Sequence, residues 1–187
     1  MISLGPLIVE EGLIVDRIPK TRQTARAIII NEENQLLMAY SKLFRDYTFS
    51  GGGLKSNEDF ETALIRELQE EIGALDVEVI KPVGYTQELR YGIRGEADIY
   101  IQTSMYYLCK IHRFGDANLH DREVMHGLEP IWISMDDALM QNEFIIIDER
   151  HQTKGLKTVL VRENMVLKKL KEKALCEDLK LSLNLNT

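Results

Sequence analysis

The segment from Gly52 to Ala74 constrains this chain more than any other part of the sequence. It begins with glycines, which allow the backbone to approach other groups closely, and it continues in a pattern typical of a helix. Ser56 and Asp59 predict a capping box at the helix start, and Gly73 predicts the helix end. Aliphatic residues at helical spacing predict the buried stripe: Leu64, Leu68 and Ile72. The segment therefore predicts a glycine loop that leads into an amphipathic helix.

Carboxylates crowd one face of this predicted helix. The segment holds six acidic and two basic side chains. At about 100° per residue, Glu67, Glu70 and Glu71 fall within one arc of about 100° beside the buried stripe. Because these carboxylates repel one another, we expect a cation between them. Oxygen ligands suit Mg²⁺ or Mn²⁺, and the free N–H groups at a helix start favour an anion such as phosphate.

Composition limits the classes of protein to which the chain can belong. With 187 residues, 44% of them hydrophobic and 28% charged, it can build one sizeable core. A formal net charge of −7 disfavours general binding to nucleic acids or anionic membranes. The two cysteines lack the spacing of a disulfide framework or a zinc site, and no apolar run is long enough to span a bilayer. We therefore expect a cytoplasmic protein with no membrane partner, for which a nucleic-acid partner is disfavoured.

The remaining sequence predicts strands and helices in mixed order, without the regular alternation of a doubly wound parallel sheet. The predicted strands are a hairpin, 24–31 with 35–40, and the later segments 47–49, 77–83, 100–111 and 130–133. Two polar stretches, 87–98 and 112–127, predict irregular structure. Ser134 predicts the start of a short helix, and residues 157–179 predict one long terminal helix.

We predict a single domain over residues 1–187, with an N-terminal extension, 1–22, and a C-terminal helical segment at about 154–182. Residues 150–187 carry nine basic and four acidic side chains, a net charge of +5. This basic segment is expected to pack on the acidic remainder of the chain or on a second subunit. A homodimer is therefore left open.

The fixed positions between Gly52 and Ala74 carry a family resemblance. Their order is Gly52, five residues, Glu58, seven residues, then Arg66-Glu67-Leu68-x-Glu70-Glu71-x-Gly73. This spacing resembles the signature of the Nudix hydrolases, except that Ala74 stands where a larger aliphatic residue is usual. The resemblance extends over roughly residues 24–142. It implies an α/β/α sandwich with a mixed sheet, to which this chain adds a C-terminal helix, and metal-dependent hydrolysis of a nucleoside diphosphate linked to another moiety.

The resemblance also implies roles for individual residues. The metal ligands would be helix carboxylates and a carbonyl of the glycine loop: Glu67, Glu70, Glu71 and Gly52 or Gly53. Arg66 would hold a glutamate in place, and Glu58 would support the geometry of loop and helix. The metal, Mg²⁺ or else Mn²⁺, would neutralise diphosphate charge and lower the pKa of the attacking water.

The general base stays open at this stage, because the family places it either in the signature helix or on a later loop. Glu70 and Glu71 represent the first alternative. Glu123 represents the second, since it precedes the strand around Trp132. Glu96 and Asp98 are further candidates.

Arginines and one tyrosine are the predicted substrate contacts. Arg26 and Arg90 are candidates for binding phosphates, as are Arg45 and Arg94. Tyr91 lies 17 residues beyond the end of the signature, which resembles the diadenosine polyphosphate hydrolase branch of the family. These residues favour a small nucleotide as the partner.

Three functional hypotheses follow. The first is a Mg²⁺-dependent pyrophosphohydrolase that cleaves a nucleoside triphosphate or a dinucleoside polyphosphate by attack of water. The second is a nucleotide-binding sensor or scaffold without turnover, which the complete set of carboxylates disfavours. The third is removal of phosphates from the 5′ end of RNA, which the net negative charge disfavours.

Overall fold

The computed structural model describes residues 2–93 and 98–183. Its strands are β1 (Ile2–Ser3), β2 (Ile8–Val9), β3 (Lys20–Ile28), β4 (Gln35–Ser41), β5 (Asp46–Thr48), β6 (Ala74–Tyr91), β7 (Ile99–Phe114) and β8 (Leu128–Ser134). Its helices are α1 (Phe60–Ile72), α2 (Asp121–His126), α3 (Met135–Ile145), α4 (Lys157–Leu170) and α5 (Lys173–Ser182). No described helix combines the length and apolar character needed to cross a membrane.

Two long antiparallel strands, β6 and β7, form the middle of a mixed sheet. On one side β3 pairs with β7 in parallel, with Lys20 beside Tyr100 and Ile28 beside Leu108. On the other side the short strands β1 and β2 both pair with β6 in parallel. A smaller antiparallel sheet has the strand order β5, β4, β8.

Helices cover both faces of these sheets. Successive residues of a strand point to opposite faces, and Ala27 and Ile28 accordingly enter different buried clusters. Ala27 shares its cluster with Leu64 and Leu68 of α1. Ile28 shares the other cluster with Leu167 of α4 and with residues of α3 and α5. The predicted α/β/α sandwich with a mixed sheet and an added C-terminal helix is confirmed.

The N-terminal segment meets α4 and the segment before it on one side of the mixed sheet. Leu4, which follows β1, lies in the same buried cluster as Leu167 of α4. The Glu10 carboxylate accepts hydrogen bonds from the backbone N–H groups of Tyr91 and Gly155, at 2.9 and 2.8 Å. The first residues of the chain are therefore held to β6 and to the segment that precedes α4.

The prediction of one long terminal helix is wrong. α4 ends at Leu170 and α5 begins at Lys173. Leu170 and Leu179, on either side of the break, are buried in the same cluster. The apolar spacing continues across the turn, so periodicity alone did not reveal where the helix stops.

Three other predicted elements differ from the structure. The polar stretch 87–98 was predicted to be irregular, but β6 continues to Tyr91. The stretch 112–127 contains the end of β7 and the whole of α2. The predicted hairpin is also altered, because β3 and β4 belong to different sheets and meet through the bridge between Ile30 and Leu36.

Candidate active site

The glycine loop lies directly against β3. Backbone N–H groups of Ala25 and Ala27 donate to the carbonyls of Gly52 and Ser50, both at 2.9 Å. Gly51 has a φ of +130°, and a Cβ there would lie 2.1 Å from the carbonyl oxygen of Ala25. Only glycine fits this close contact between two backbone segments. The loop is therefore fixed to the sheet before the helix begins.

The caps of α1 set the orientation of its side chains. Asp59 is the N-cap and its side chain accepts from the backbone N–H of Thr62 at 2.7 Å, so the predicted Ser56 capping box is wrong. The helix begins at Phe60, because Asp59 itself satisfies a free N–H group at the helix start. Gly73, with a φ of +68°, ends the helix as predicted. With Leu64 and Leu68 buried, the glutamates of the next face lie towards the glycine loop.

Arg66 links this loop to the helix through five hydrogen bonds. Its Nε and Nη2 donate to the Glu58 carboxylate at 2.8 and 2.9 Å. Its Nη1 donates to Glu67 at 2.7 Å and Glu70 at 3.0 Å, and its Nη2 donates to the Gly53 carbonyl at 3.1 Å. The Arg66 hydrogen bonds lower the pKa of Glu58 to about 2. Arg66 thus connects Glu58 and the Gly53 carbonyl to two glutamates of the helix.

Glu71 is the carboxylate that lies deepest in the loop. Its Oε2 accepts from the backbone N–H of Gly51 at 2.8 Å. Burial raises its pKa to about 8, and the negative charges of Glu67 and Glu123 add to the rise, whereas Arg26 and the Gly51 N–H oppose it. A carboxylate in these surroundings becomes more stable in its charged form when a cation binds beside it.

The residues present fit a hard divalent cation. A Cβ at Gly52 would lie 2.3 to 2.5 Å from the carboxylate atoms of Glu67, so the missing side chain leaves room for that carboxylate. Carboxylate and carbonyl oxygens are the donors that Mg²⁺ prefers. As they stand, no three acidic, histidine or cysteine side chains within residues 2–93 and 98–183 converge to form a metal site. Arg66 instead contacts both Glu67 and Glu70.

A cleft of about 360 Å³ opens beside the loop and collects several of the predicted residues. The predicted residues that line it are Gly52, Gly53, Glu67, Glu71, Glu123, Arg26 and Arg90. Lining residues that the sequence did not single out as site residues include Arg22, Asp46, His120, His126, His151 and Arg162. Acidic residues of α1 and basic residues of the sheet and α4 therefore face one space.

Residues 20–153 match the family model described as NUDIX domain. The chain belongs to the NUDIX domain family. The resemblance that the segment Gly52 to Ala74 carries is thereby confirmed.

Individual proteins resemble this chain to different degrees in sequence and in structure. The RNA pyrophosphohydrolase of Marinomonas sp. (strain MWYL1) is 42% identical over 71 residues, which are 37% of this chain and 44% of that protein. The match thus spans less than half the length of that curated relative. A NUDIX hydrolase structure from Nitrosomonas europaea is 18% identical, with a TM-score of 0.50 over 72% of this chain and 91% of that chain. The solution structure of the E. coli ORF135 protein is 19% identical, with a TM-score of 0.45 over 82% and 93%.

Glu123, the candidate base from the later part of the chain, lies on α2 and lines the cleft. Its Oε2 accepts from the His120 backbone N–H at 2.7 Å. The His120 ring lies 3.4 Å from the Glu70 carboxylate, which brings α2 close to α1. Of the other acidic candidates, Asp98 pairs with Lys20 at 2.6 Å, while Glu96 lies outside the described residues, as does Arg94.

Arginines of β3 form a basic wall beside the glycine loop. The Nη1 of Arg26 donates to the Phe49 carbonyl at 2.8 Å, while its Nε is buried without a hydrogen-bond partner. Arg22, four residues earlier in the strand and therefore on the same face, also lines the cleft. Loss of solvent lowers the pKa of Arg22, and the positive charges of Arg26 and Arg162 lower it further. Arg45, by contrast, is exposed and does not line the cleft.

Arg90 and Tyr91 make contacts within the protein. Arg90 is 1% exposed, and its Nη2 donates to Gln102 Oε1 at 2.6 Å. Its Nη1 donates to the carbonyls of Tyr91 and Gly155. The Tyr91 hydroxyl accepts from the Ile14 N–H at 3.0 Å, and Lys154 lies 3.5 Å from its ring centre. The structure therefore places Tyr91 against the N-terminal segment and outside the cleft lining.

The part of the chain beyond the NUDIX match completes the inner wall of the cleft. Arg162 of α4 donates to Glu88 of β6 at 2.7 Å and also pairs with Glu163. Glu163 Oε2 in turn accepts from the Phe49 backbone N–H at 3.1 Å, two residues before Gly51. No local sequence signal could have found this network, because its members come from strands and a helix far apart in the chain.

Proposed function

We propose that this protein hydrolyses a phosphoanhydride bond of a nucleoside diphosphate linked to another moiety, either a nucleoside triphosphate or a dinucleoside polyphosphate. The observation that carries the proposal is the cleft in which Glu67, Glu71 and Glu123 face Arg22 and Arg26. Carboxylates suit a divalent cation, and arginines suit phosphate oxygens. Membership of the NUDIX domain family supports the same chemistry.

The proposed ligands for Mg²⁺, or Mn²⁺ in its place, are the three helix glutamates and a loop carbonyl: Glu67, Glu70, Glu71 and Gly52. When bound, the ion neutralises charge on the diphosphate and lowers the pKa of water. Arg66 positions Glu67 and Glu70 through the contacts described above. The Gly51 N–H orients the carboxylate of Glu71.

Residues across the cleft hold the substrate and move a proton. Arg22 and Arg26 bind phosphate oxygens. We propose that the buried positive charge of Arg90 adds to the attraction for these phosphates. Water attacks one phosphorus atom, the P–O bond of the anhydride breaks, and its electron pair departs with the leaving phosphate. We propose Glu123 as the base that accepts the proton of the attacking water, because one of its carboxylate oxygens is held by His120 while the side chain lines the cleft.

Turnover by a Glu71→Gln variant tests this proposal. The purified protein is incubated with Mg²⁺ and, separately, Mn²⁺ against nucleoside triphosphates, oxidised nucleotides, dinucleoside polyphosphates, nucleotide sugars and ADP-ribose. We expect Glu71→Gln to lower turnover by on the order of a thousandfold, because it removes a charged ligand, and Glu123→Gln to lower it by about a hundredfold. Glu61→Gln, at an exposed position of the same helix, is the matched control. An unchanged rate in Glu71→Gln contradicts the role of that residue.

A second substrate class is favoured by one relative. The Marinomonas protein is named RNA pyrophosphohydrolase, and it is 42% identical over 71 residues. We therefore include a 5′-triphosphorylated RNA oligonucleotide in the panel, although a net charge of −7 disfavours long polyanions. Binding without turnover of any substrate would instead favour the sensor hypothesis. The two cysteines are free, which is consistent with the cytoplasmic location that we propose.

A further inference from the structure

A buried carboxylate lies in the cleft away from the proposed metal ligands. Asp46, the first residue of β5, is 6% exposed and lines the cleft. The His151 ring lies beside it, with its Nε2 3.8 Å from Asp46 Oδ2, too far for a hydrogen bond. Burial makes a charged carboxylate costly unless it accepts hydrogen bonds, so a ligand that donates to Asp46 would stabilise its charged form.

Aromatic rings line the cleft together with this carboxylate. The rings of Phe44 and His126 meet edge to face with centroids 5.0 Å apart, and the rings of Phe44 and His151 are 5.6 Å apart. Leu128 also lines the cleft, and it is paired across the sheet with Ser41, which in turn is paired with Asp46. Aromatic and aliphatic walls of this kind suit the faces of a nucleobase.

The carboxylate and the glycine loop are close enough to contact one nucleotide. Asp46 precedes Gly51 by five residues, which span at most about 18 Å even when fully extended. Thr48, two residues after Asp46 and on the same face of β5, also lines the cleft. A base beside Asp46 and phosphates beside Gly51 can therefore belong to one molecule.

We propose that this end of the cleft is a guanine subsite in which Asp46 accepts hydrogen bonds from the N1–H and the amino group of the base. The proposal rests on the proposed function, since it names the base of the same nucleotide. A carboxylate accepts at both oxygens and donates nothing when charged. Guanine presents two adjacent donors on its Watson–Crick edge, whereas adenine presents one donor and one acceptor. Asp46 in its charged form thus selects guanine over adenine.

The charged groups around Asp46 set the pH range of this selectivity. Burial, and then the negative charge of Glu163, raise the pKa of Asp46 to about 7, whereas Arg150 opposes the rise. Burial lowers the pKa of His151, so this neighbour is neutral at the pH values at which Asp46 is charged. Guanine selectivity is therefore strongest above pH 7, where the carboxylate is charged in the free protein, and declines below it.

Equilibrium binding of GMP and AMP at pH 8 tests the subsite without requiring turnover. Titration calorimetry is carried out on the full chain, Asp46→Asn, Asp46→Ala and Asp178→Asn, the last an exposed Asp→Asn control that pairs with Lys81. We expect GMP to bind about tenfold or more tightly than AMP in the unaltered protein, the range of a good bidentate contact to a base. An asparagine offers one donor and one acceptor, so Asp46→Asn should reverse the preference, and Asp46→Ala should abolish it.

The outcomes separate this inference from the proposed function. Equal binding of GMP and AMP, tighter binding of AMP, or no binding of either at millimolar concentration overturns the guanine subsite. A guanine preference that persists in both Asp46 variants overturns the role of Asp46. A guanine preference that depends on Asp46, in a protein that hydrolyses no nucleotide, supports the subsite while contradicting the proposed hydrolysis. Circular dichroism of each variant confirms that the fold is retained.

Discussion

At the scale of single residues, the Glu67 carboxylate lies so close to Gly52 that no larger residue fits at position 52 unless the carboxylate moves. A Cβ at Gly52 would lie within 2.5 Å of the Glu67 carboxylate, whereas a Cβ at Gly53 would meet nothing closer than 3.6 Å. We expect Gly52→Ala to displace that flexible carboxylate and to lower turnover at least tenfold at little cost in stability. Gly53→Ala is the matched control and should retain activity. Rate assays and melting curves on both variants check this, and equal rates would contradict the role of Glu67.

Asp46 makes a second prediction at this scale, one that concerns stability. Its pKa is about 7 in the folded protein and near 3.8 when unfolded, so between these values the folded state holds a proton that the unfolded state has lost. The free energy of unfolding therefore falls as pH rises from about 4 to about 7. At about 1.4 kcal/mol per pKa unit, the penalty above pH 7 is on the order of 4 kcal/mol. Asp46→Asn has no ionisable group at this position and therefore does not carry this penalty.

Denaturant unfolding at several pH values measures this difference. The difference in free energy of unfolding between Asp46→Asn and the unaltered protein should be near zero at pH 4. It should reach its maximum above pH 8. Asp178→Asn, in which the exposed partner of Lys81 is changed, should show little pH dependence of the difference. A constant difference for Asp46→Asn across the range would rule out the raised pKa.

Residues within one turn of each other could be predicted as a site, and residues from different segments could not. Glu67, Glu70 and Glu71 follow from helical spacing, which is a local property. Asp46 and Arg162 lie in β5 and α4, and only the packing of α4 on the sheet brings them to the same cleft. Their proximity depends on tertiary contacts that no window of sequence contains.

At the scale of elements, α4 supports the strand that leads into the glycine loop. Glu163 accepts from the Phe49 N–H and pairs with Arg162, and all three groups are buried. Removal of one partner of a buried pair typically costs 3–5 kcal/mol. We therefore expect Glu163→Ala to lower the free energy of unfolding by about 3 kcal/mol. In Glu143→Ala, which breaks an exposed pair with Lys168, the loss should stay below about 1 kcal/mol.

Chemical denaturation of both variants measures these losses. A Glu163→Ala variant as stable as Glu143→Ala would contradict the structural role of the network.

The same elements explain why the sequence predicted the end of β6 wrongly. Glu88 and Arg90 make residues 87–91 polar, which predicts irregular structure, yet both side chains are buried in a strand because Arg162 and Gln102 supply their partners.

At the scale of the whole molecule, the two ends of the chain share one buried cluster. Leu4 and Leu167 both belong to it, as do Leu170 and Leu179. A chain truncated after Arg150 would expose the sheet face that α4 and α5 cover. We expect this variant to lose its cooperative melting transition and to aggregate, as measured by calorimetry and size-exclusion chromatography. A soluble, cooperatively folded truncated chain would show instead that the C-terminal helices are an independent addition.

The position of Arg162 in the chain also has a consequence for biosynthesis. The ribosome makes the glycine loop and α1 roughly a hundred residues before it makes α4, which carries the last side chains of the cleft wall. During translation the acidic helix is therefore complete while the pocket beside it is still open. A stop codon ahead of α4 would therefore remove this part of the cleft wall together with α4 and α5.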